Sequence, residues 1–183
     1  SKHGLRKSKK EIQPHKTIII NLQQTIDGLL AAMHHKTRYN IKVAENHGLS
    51  VQESNDVDIF LKLIKHTADK KNFGIHPESY YEKLLDYFGG EDRLETKLFL
   101  VKKEDEAIAG AIVLMDRTSN IGCYLHGASD YRFRSLMAPY ILHWHIIKML
   151  QQKGFVKYDF WGVDSTKWPG VTRFKLGWNG QQV

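Results

Sequence analysis

A single cysteine, Cys123, stands among 183 residues, so no disulfide can close within the chain and a disulfide scaffold is excluded. No apolar run approaches the ~20 residues that a membrane-spanning helix needs. The longest candidates, Thr17–Leu22 and Ala107–Met115, are strand-sized. The basic N-terminus has no apolar stretch behind it, which argues against a signal peptide. Internal repeats and low-complexity tracts are missing as well, and a hydrophobic content of 42% excludes intrinsic disorder and a collagen-like chain. These absences predict a soluble, single-domain protein of a reducing, cytosolic compartment. A domain of this length buries roughly 70% of its unfolded surface.

Several reaction classes also lack their residues. There is no Gly-x-Ser-x-Gly elbow, no Walker-type loop and no acid–His–nucleophile set in workable order. Ten histidines invite a metal. However, His143 and His145 are two apart on a helix and point to different faces, and His34-His35 has no cysteine or carboxylate at ligand spacing. No metal site is predicted. Cys123, beside Tyr124 in a buried strand, reads as core rather than nucleophile.

The formal charge is +7, which suggests nucleic acid until its placement is considered. Residues 1–16 hold Lys2, Arg6, Lys7, Lys9, Lys10 and Lys16 against Glu11, +5 of the total, and leave +2 on the rest. The arm reads as a linker ending at Pro14 rather than a nucleic-acid clamp.

The remaining pattern is regular. Thr17–Leu22 predicts a strand. Thr25 to about Asn46 predicts helix, broken near His34-His35-Lys36 and stopped by Gly48. A short strand is expected over Leu49–Gln52. Asp56 caps a helix with Phe60, Leu63, Ile64, Thr67 and Ala68 on one stripe, closed by Gly74. Pro77 opens another, with Tyr80/Tyr81, Leu84/Leu85 and Phe88 on its apolar face up to Gly89-Gly90. Lys97–Lys102, Ala107–Met115 and Ile121–His126 predict a three-stranded meander. A helix from about Leu136 to Lys153, stopped by Gly154, then leads to a strand over Phe155–Trp161.

Helices, an antiparallel meander and a strand–helix–strand crossover make an α+β plan. The order matches the GNAT-like (acyl-CoA N-acyltransferase-like) fold, a mixed sheet flanked by helices. In that fold the strand before the crossover helix splays from the strand after it and leaves a cleft for the acyl donor. Here those strands are Ile121–His126 and Val156–Trp161.

Four segments are candidates for chemistry. Tyr124 and His126 fall on one strand face at period two, beside Gly127 where backbone can approach closely. They either bind a polar substrate through hydrogen bonds or face a partly buried helix and are merely satisfied. The turn Asp130–Ser135, where coenzyme A would need glycine amides for its pyrophosphate, has no glycine, which disfavours coenzyme A. Its Arg132 and Arg134 could still meet a phosphate. His34–Glu45 is a basic amphipathic helix, whose ordinary reading is a solvated face. Lys175, between Phe174 and Leu176 with glycines nearby, is either desolvated and aimed at an anion or, more commonly for such a pattern, a surface lysine in a loop.

Taken together, HHKTRYNIKVAENHGLSV (34–51), YLHGASDYRFRSLMAPYILHWHIIKMLQQKGFVKYDFWGV (124–163) and GVTRFKLGWNG (170–180), with a looser match in GIHPESYYEKLL (74–85), resemble the Fem family (FemX/FemAB type). These are non-ribosomal aminoacyltransferases that build peptidoglycan interpeptide bridges. The resemblance implies an enzyme that transfers an amino acid from aminoacyl-tRNA to the stem peptide of a precursor, UDP-MurNAc-pentapeptide or its lipid-linked form. It implies no cofactor, since aminoacyl-tRNA is the donor substrate. It also implies a cytoplasmic location, with the inner face of the membrane as the alternative. Lys175 resembles the family lysine that stabilises the oxyanion, a role worth ~10²–10³ in rate. Tyr124, or His126 if the register shifts by two, resembles the acceptor-binding tyrosine, and the resemblance implies that Tyr80 also lines the precursor site. The resemblance makes Lys36, Arg38, Arg132 and Arg134 the expected phosphate partners for precursor or tRNA. Family members carry two GNAT-like domains, so the chain is expected to be the second, over residues 17–183, with the N-terminal one missing. The alternatives are a non-catalytic binding domain for precursor or tRNA, and a GNAT-like acyltransferase with another donor.

Overall fold

Alternation in Ile18 and Ile20, both buried, makes β1 (Lys16–Asn21) a strand inside the sheet rather than a loose edge. The computed structural model describes residues 14–71, 74–87 and 93–183. The expected arm therefore lies mostly outside the described residues. Within them, Pro14 already packs against Gly162, and Lys16 pairs with Val163.

Helix α1 (Ile26–Ala32) is capped by Thr25, whose hydroxyl accepts from Gly28 N at 3.0 Å, and α2 (His35–Asn46) is capped by His34. The break falls where the polar interruption predicts. After β2 (Ser50–Ser54), Asp56 accepts from Ile59 N and starts α3 (Val57–Lys71), and α4 (Glu78–Tyr87) follows Pro77. The expected stop at Gly74 and the expected face residue Phe88 differ in standing: Gly74 follows α3, whereas Phe88 lies outside the described residues. The meander is β3 (Leu94–Lys103), β4 (Glu106–Asp116) and β5 (Ile121–Ser129). A 3₁₀ turn (Tyr131–Leu136) leads to α5 (Ala138–Gln152), then β6 (Lys157–Val163), α6 (Pro169–Leu176) and β7 (Gln181–Gln182).

The seven strands order as β2-β3-β4-β5-β6-β1-β7, all antiparallel except β5 and β6. The fold is the expected α+β mixed sheet with helices on both faces. Phe99, Val101, Val113 and Met115 pack towards α5 and α2, while Leu98, Leu100 and Ile112 pack towards α3 and α4. Both faces being covered explains why Leu98–Val101 of β3 and Ala107–Met115 of β4 read as apolar runs instead of alternating with polar residues.

Helix α6 is an element that the sequence reading does not assign, its more common alternative being a loop around Lys175. Eight residues with glycine at the second position are poor helix formers. Their helix rests on tertiary contacts: buried Thr172 and Lys175, and a C-terminus at Gly177 whose carbonyl accepts from Thr37 Oγ1 at 2.9 Å and His34 N at 3.0 Å. A Cβ on Gly177 would lie 2.6 Å from Thr37 Oγ1, so only glycine lets α2 dock there.

Candidate active site

The parallel pair β5–β6 is short. Ile121, Gly122 and Cys123 pair with Lys157, Tyr158 and Asp159, and beyond that point the strands separate. The expected splay is present, and the residues after Cys123 and Asp159 form its walls.

One wall is Tyr124. Its hydroxyl lies against Gly127, where an added Cβ would sit 1.7 Å from the phenol oxygen, so that glycine makes room for the ring. The Tyr124 ring meets the edge of His143 from α5 at 4.6 Å, and Phe160 at 6.4 Å. His143 is 2% exposed and shares a 2.8 Å hydrogen bond with the Tyr158 hydroxyl. Phe160, Phe174 and Trp178 close the pocket's apolar side.

Lys175 enters from α6 and is 6% exposed. Its ammonium donates to the Gly162 carbonyl at 2.8 Å and more weakly to that of Trp161 at 3.4 Å. It stands 5.7 Å from the centre of the Tyr124 ring. Burial pulls its pKa down to about 8, against the opposing field of Asp159, so it remains largely charged at neutral pH. The expectation of a surface lysine in a loop is therefore overturned, and the desolvated alternative holds.

The neighbours cannot share that charge. Burial pushes the Tyr124 phenol up to about 12, and burial together with the Lys175 charge holds His143 down to about 3. The Cys123 thiol is raised to about 12, chiefly by burial. At neutral pH the pocket thus offers a fixed cation and a phenol donor. It offers neither a thiolate nor an imidazolium. That set can stabilise a developing anion, and it supplies no nucleophile of its own.

The other chemical cluster lies through the sheet. Ile112 pairs with His126 but Val113 with Tyr124, so Leu125 is an extra residue and β5 carries a bulge. The two side chains therefore face opposite sides, which corrects the expectation that period two keeps them together. His126 shares a 3.0 Å hydrogen bond with the Tyr80 hydroxyl, and His76 stacks on Tyr80 at 4.2 Å, with Tyr81 5.2 Å from His126. Burial, then the charge of His76, lowers His126 to about 4.

The basic candidates scatter. Lys36 is exposed in the first turn of α2. Arg38 donates to the Ala31 carbonyl at 3.2 Å and to that of Met33, tying α1 to α2. Arg132 pairs with Asp130 at 2.6 Å and Glu106 at 3.0 Å, and Arg134 lies over the Tyr131 ring at 4.4 Å. Three of the four already have partners within the fold: carbonyls for Arg38, carboxylates for Arg132 and a ring face for Arg134. Among the described residues, no group of three or more His, Cys, Asp or Glu side chains could hold a metal ion. His143 and Asp159 were missed from sequence. A histidine inside the apolar run Ile141–Ile147 was the available signal for the first, and nothing local marks the second.

The model of the FemAB family matches residues 2–98 and 90–183, nearly the whole chain. The chain belongs to the FemAB family. This FemAB-family chain is 31% identical over 113 residues to a Lipid II:glycine glycyltransferase of Staphylococcus epidermidis, covering 61% of the chain and 26% of that protein. It spans about a quarter of that relative's length. The crystal structure of FemX superposes with a TM-score of 0.83 at 21% identity, covering 96% of this chain and 61% of that one. An aminoglycoside acetyltransferase from an uncultured soil sample shares the fold at a TM-score of 0.51 and 20% identity, over 70% of this chain and 86% of that one. At such identities the likeness is one of fold, and it places the FemAB-family chain among GNAT-like architectures. No helix among the described residues is long and apolar enough to cross a membrane.

Proposed function

We propose that this FemAB-family chain contributes the transfer centre of a tRNA-dependent aminoacyltransferase acting on the stem peptide of a peptidoglycan precursor. The supporting observation is Lys175, a buried cation held by two carbonyls beside Tyr124 where β5 and β6 part. The acceptor is UDP-MurNAc-pentapeptide or its lipid-linked form, and the donor is the ester of an aminoacyl-tRNA.

Aminolysis of that ester needs little from the protein beyond positioning and charge. The neutral acceptor amine attacks the ester carbonyl carbon, and the new C–N bond forms as the carbonyl electron pair moves to oxygen. Lys175 stabilises that oxyanion. Collapse breaks the bond to the ribose oxygen, which leaves carrying the proton the amine gives up. Tyr124, held protonated, donates a hydrogen bond to the acceptor and helps to hold the two substrates in reach of each other. An aminoacyl-tRNA donor fits the glycine-free entry to α5, where the buried Asp130 carboxylate accepts from the Arg132 N–H that opens the turn and pairs with the Arg132 guanidinium.

Calorimetric titration of the chain with UDP-MurNAc-pentapeptide, aminoacyl-tRNA and acetyl-CoA tests the reading. The precursor should bind, Tyr124→Ala should abolish that binding, and acetyl-CoA should give no heat. Acetyl-CoA binding in place of aminoacyl-tRNA would replace the donor. The alternative reading is precursor binding without turnover, and transfer by the chain alone would exclude it.

A further inference from the structure

The lysine is held by backbone that is itself distorted. On β6, Phe160 and Trp161 stand opposite the single residue Ile18 of β1, between the pairs Ile19–Asp159 and Thr17–Gly162. The extra residue is accommodated by Trp161, whose φ is +63°. A bulky side chain adopts that left-handed conformation only when its surroundings impose it. This turn is what directs the Trp161 and Gly162 carbonyls to the Lys175 ammonium.

One side chain spans the turn. Asp159 Oδ1 accepts from the Trp161 N–H at 2.7 Å and from the Thr17 hydroxyl of β1. Asp159 is also the last β6 residue paired with β5, so it sits at the point of divergence. We propose that Asp159 is a positioning residue for Lys175: its carboxylate, anchored by Thr17, holds the left-handed turn at Trp161 and thereby sets both the place and the charge of the ammonium. The inference rests on the transfer reading for its functional meaning, but not for its geometry.

The groups facing Lys175 are few among the described residues. Tyr124 comes from β5, His143 from α5 and Asp159 from β6, while Cys123 and Tyr158 lie in the field of Asp159. Tyr124 and His143 are uncharged at neutral pH, which leaves the Asp159 carboxylate as the anion opposing the desolvation of the ammonium. Asp159→Asn keeps the accepting oxygen and removes the charge, whereas Asp159→Ala removes both.

The test is isotope-edited NMR of the lysine Cε–Nζ signals across pH, with Lys175 assigned by its loss in Lys175→Met. In Asp159→Asn the Lys175 midpoint should fall below its wild-type value of about 8 while the Trp161 and Gly162 amide signals stay in place. In Asp159→Ala both the midpoint and those amides should move, and Thr17→Val should move the amides alone. Aminoacyl transfer should drop about tenfold to a hundredfold in the Asp159 variants, with KM for the precursor unchanged. A Lys175 midpoint unmoved by Asp159→Asn overturns the proposal, and that variant decides the matter if Asp159→Ala does not fold. A midpoint that moves in a chain without transfer activity upholds the positioning role and sinks the transfer reading instead.

Discussion

The two faces of β5 carry similar residue types and put them to different uses. Towards α5 and α6, half-buried Tyr124 and buried His143 stand beside a buried lysine. Towards α4, Tyr80, His76 and His126 form a cluster open to solvent, with Tyr80 36% exposed. In the first, burial fixes protonation states and leaves one cation. In the second, a tyrosine–histidine hydrogen bond at the surface supplies polarity without fixed charge at neutral pH on His126. The comparison shows that neighbours, rather than residue identity, decide which aromatic–histidine pair stands beside a buried cation.

The largest effect should come from the packing of the α5 face. Phe160 is fully buried, and Phe160→Ala should cost about 3–5 kcal/mol in urea denaturation, whereas Tyr80→Ala on the open face should cost far less. Equal losses would erase the distinction. Next, Lys175→Ala should lower transfer about 10²–10³-fold while leaving the fold and precursor binding intact. Undiminished transfer would move the chemistry elsewhere.

Proton linkage separates the faces further. His143 stays neutral when folded, down to about pH 3, but in the unfolded chain it takes a proton near its ordinary value of 6.5. Its contribution to stability is therefore complete above pH 6.5 and is lost as pH falls towards 3, at about 1.4 kcal/mol per pH unit. Denaturation midpoints of wild type and His143→Gln between pH 7 and 4 should converge; parallel lines would refute the assignment. Lys175 behaves oppositely for its two roles. Raising the pH through about 8 should remove the cation and with it transfer. Stability should instead rise between about 8 and the ordinary lysine value of 10.5, because there the unfolded chain binds the extra proton. The smallest change should be Tyr80→Phe, which deletes one exposed hydrogen bond to His126 and should shift stability by about 1 kcal/mol or less.

Much of the fold was legible because its signals are local. The stripe through Phe60, Leu63 and Ile64 marks α3, the polar break at His34 ends one helix and caps the next, and Asp56 and Pro77 stand at helix starts. Helix α6 was not legible, since Gly170 and the short span hide it and its order comes from Thr37 and His34, some 140 residues away. At the site, the residues alone leave Lys175 and Tyr124 open, and only the family resemblance singles them out as candidates. Asp159 was not, because a carboxylate in a strand gives no sign of which backbone it will hold.

The order of elements from β1 to β6, the apolar run of β4 and the presence of a lysine among aromatics were determined by sequence alone, since periodicity and composition act over a few residues. Tertiary structure decided three things. Leu125 slips out of register against β4 and sends Tyr124 and His126 to opposite faces, because register belongs to the pair of strands and not to either one. The left-handed turn at Trp161 arises where β6 carries one more residue than β1. The charge of Lys175 is set by carbonyls, rings and a carboxylate drawn from β5, α5 and β6, because desolvation and Coulomb fields depend on distance in space rather than along the chain.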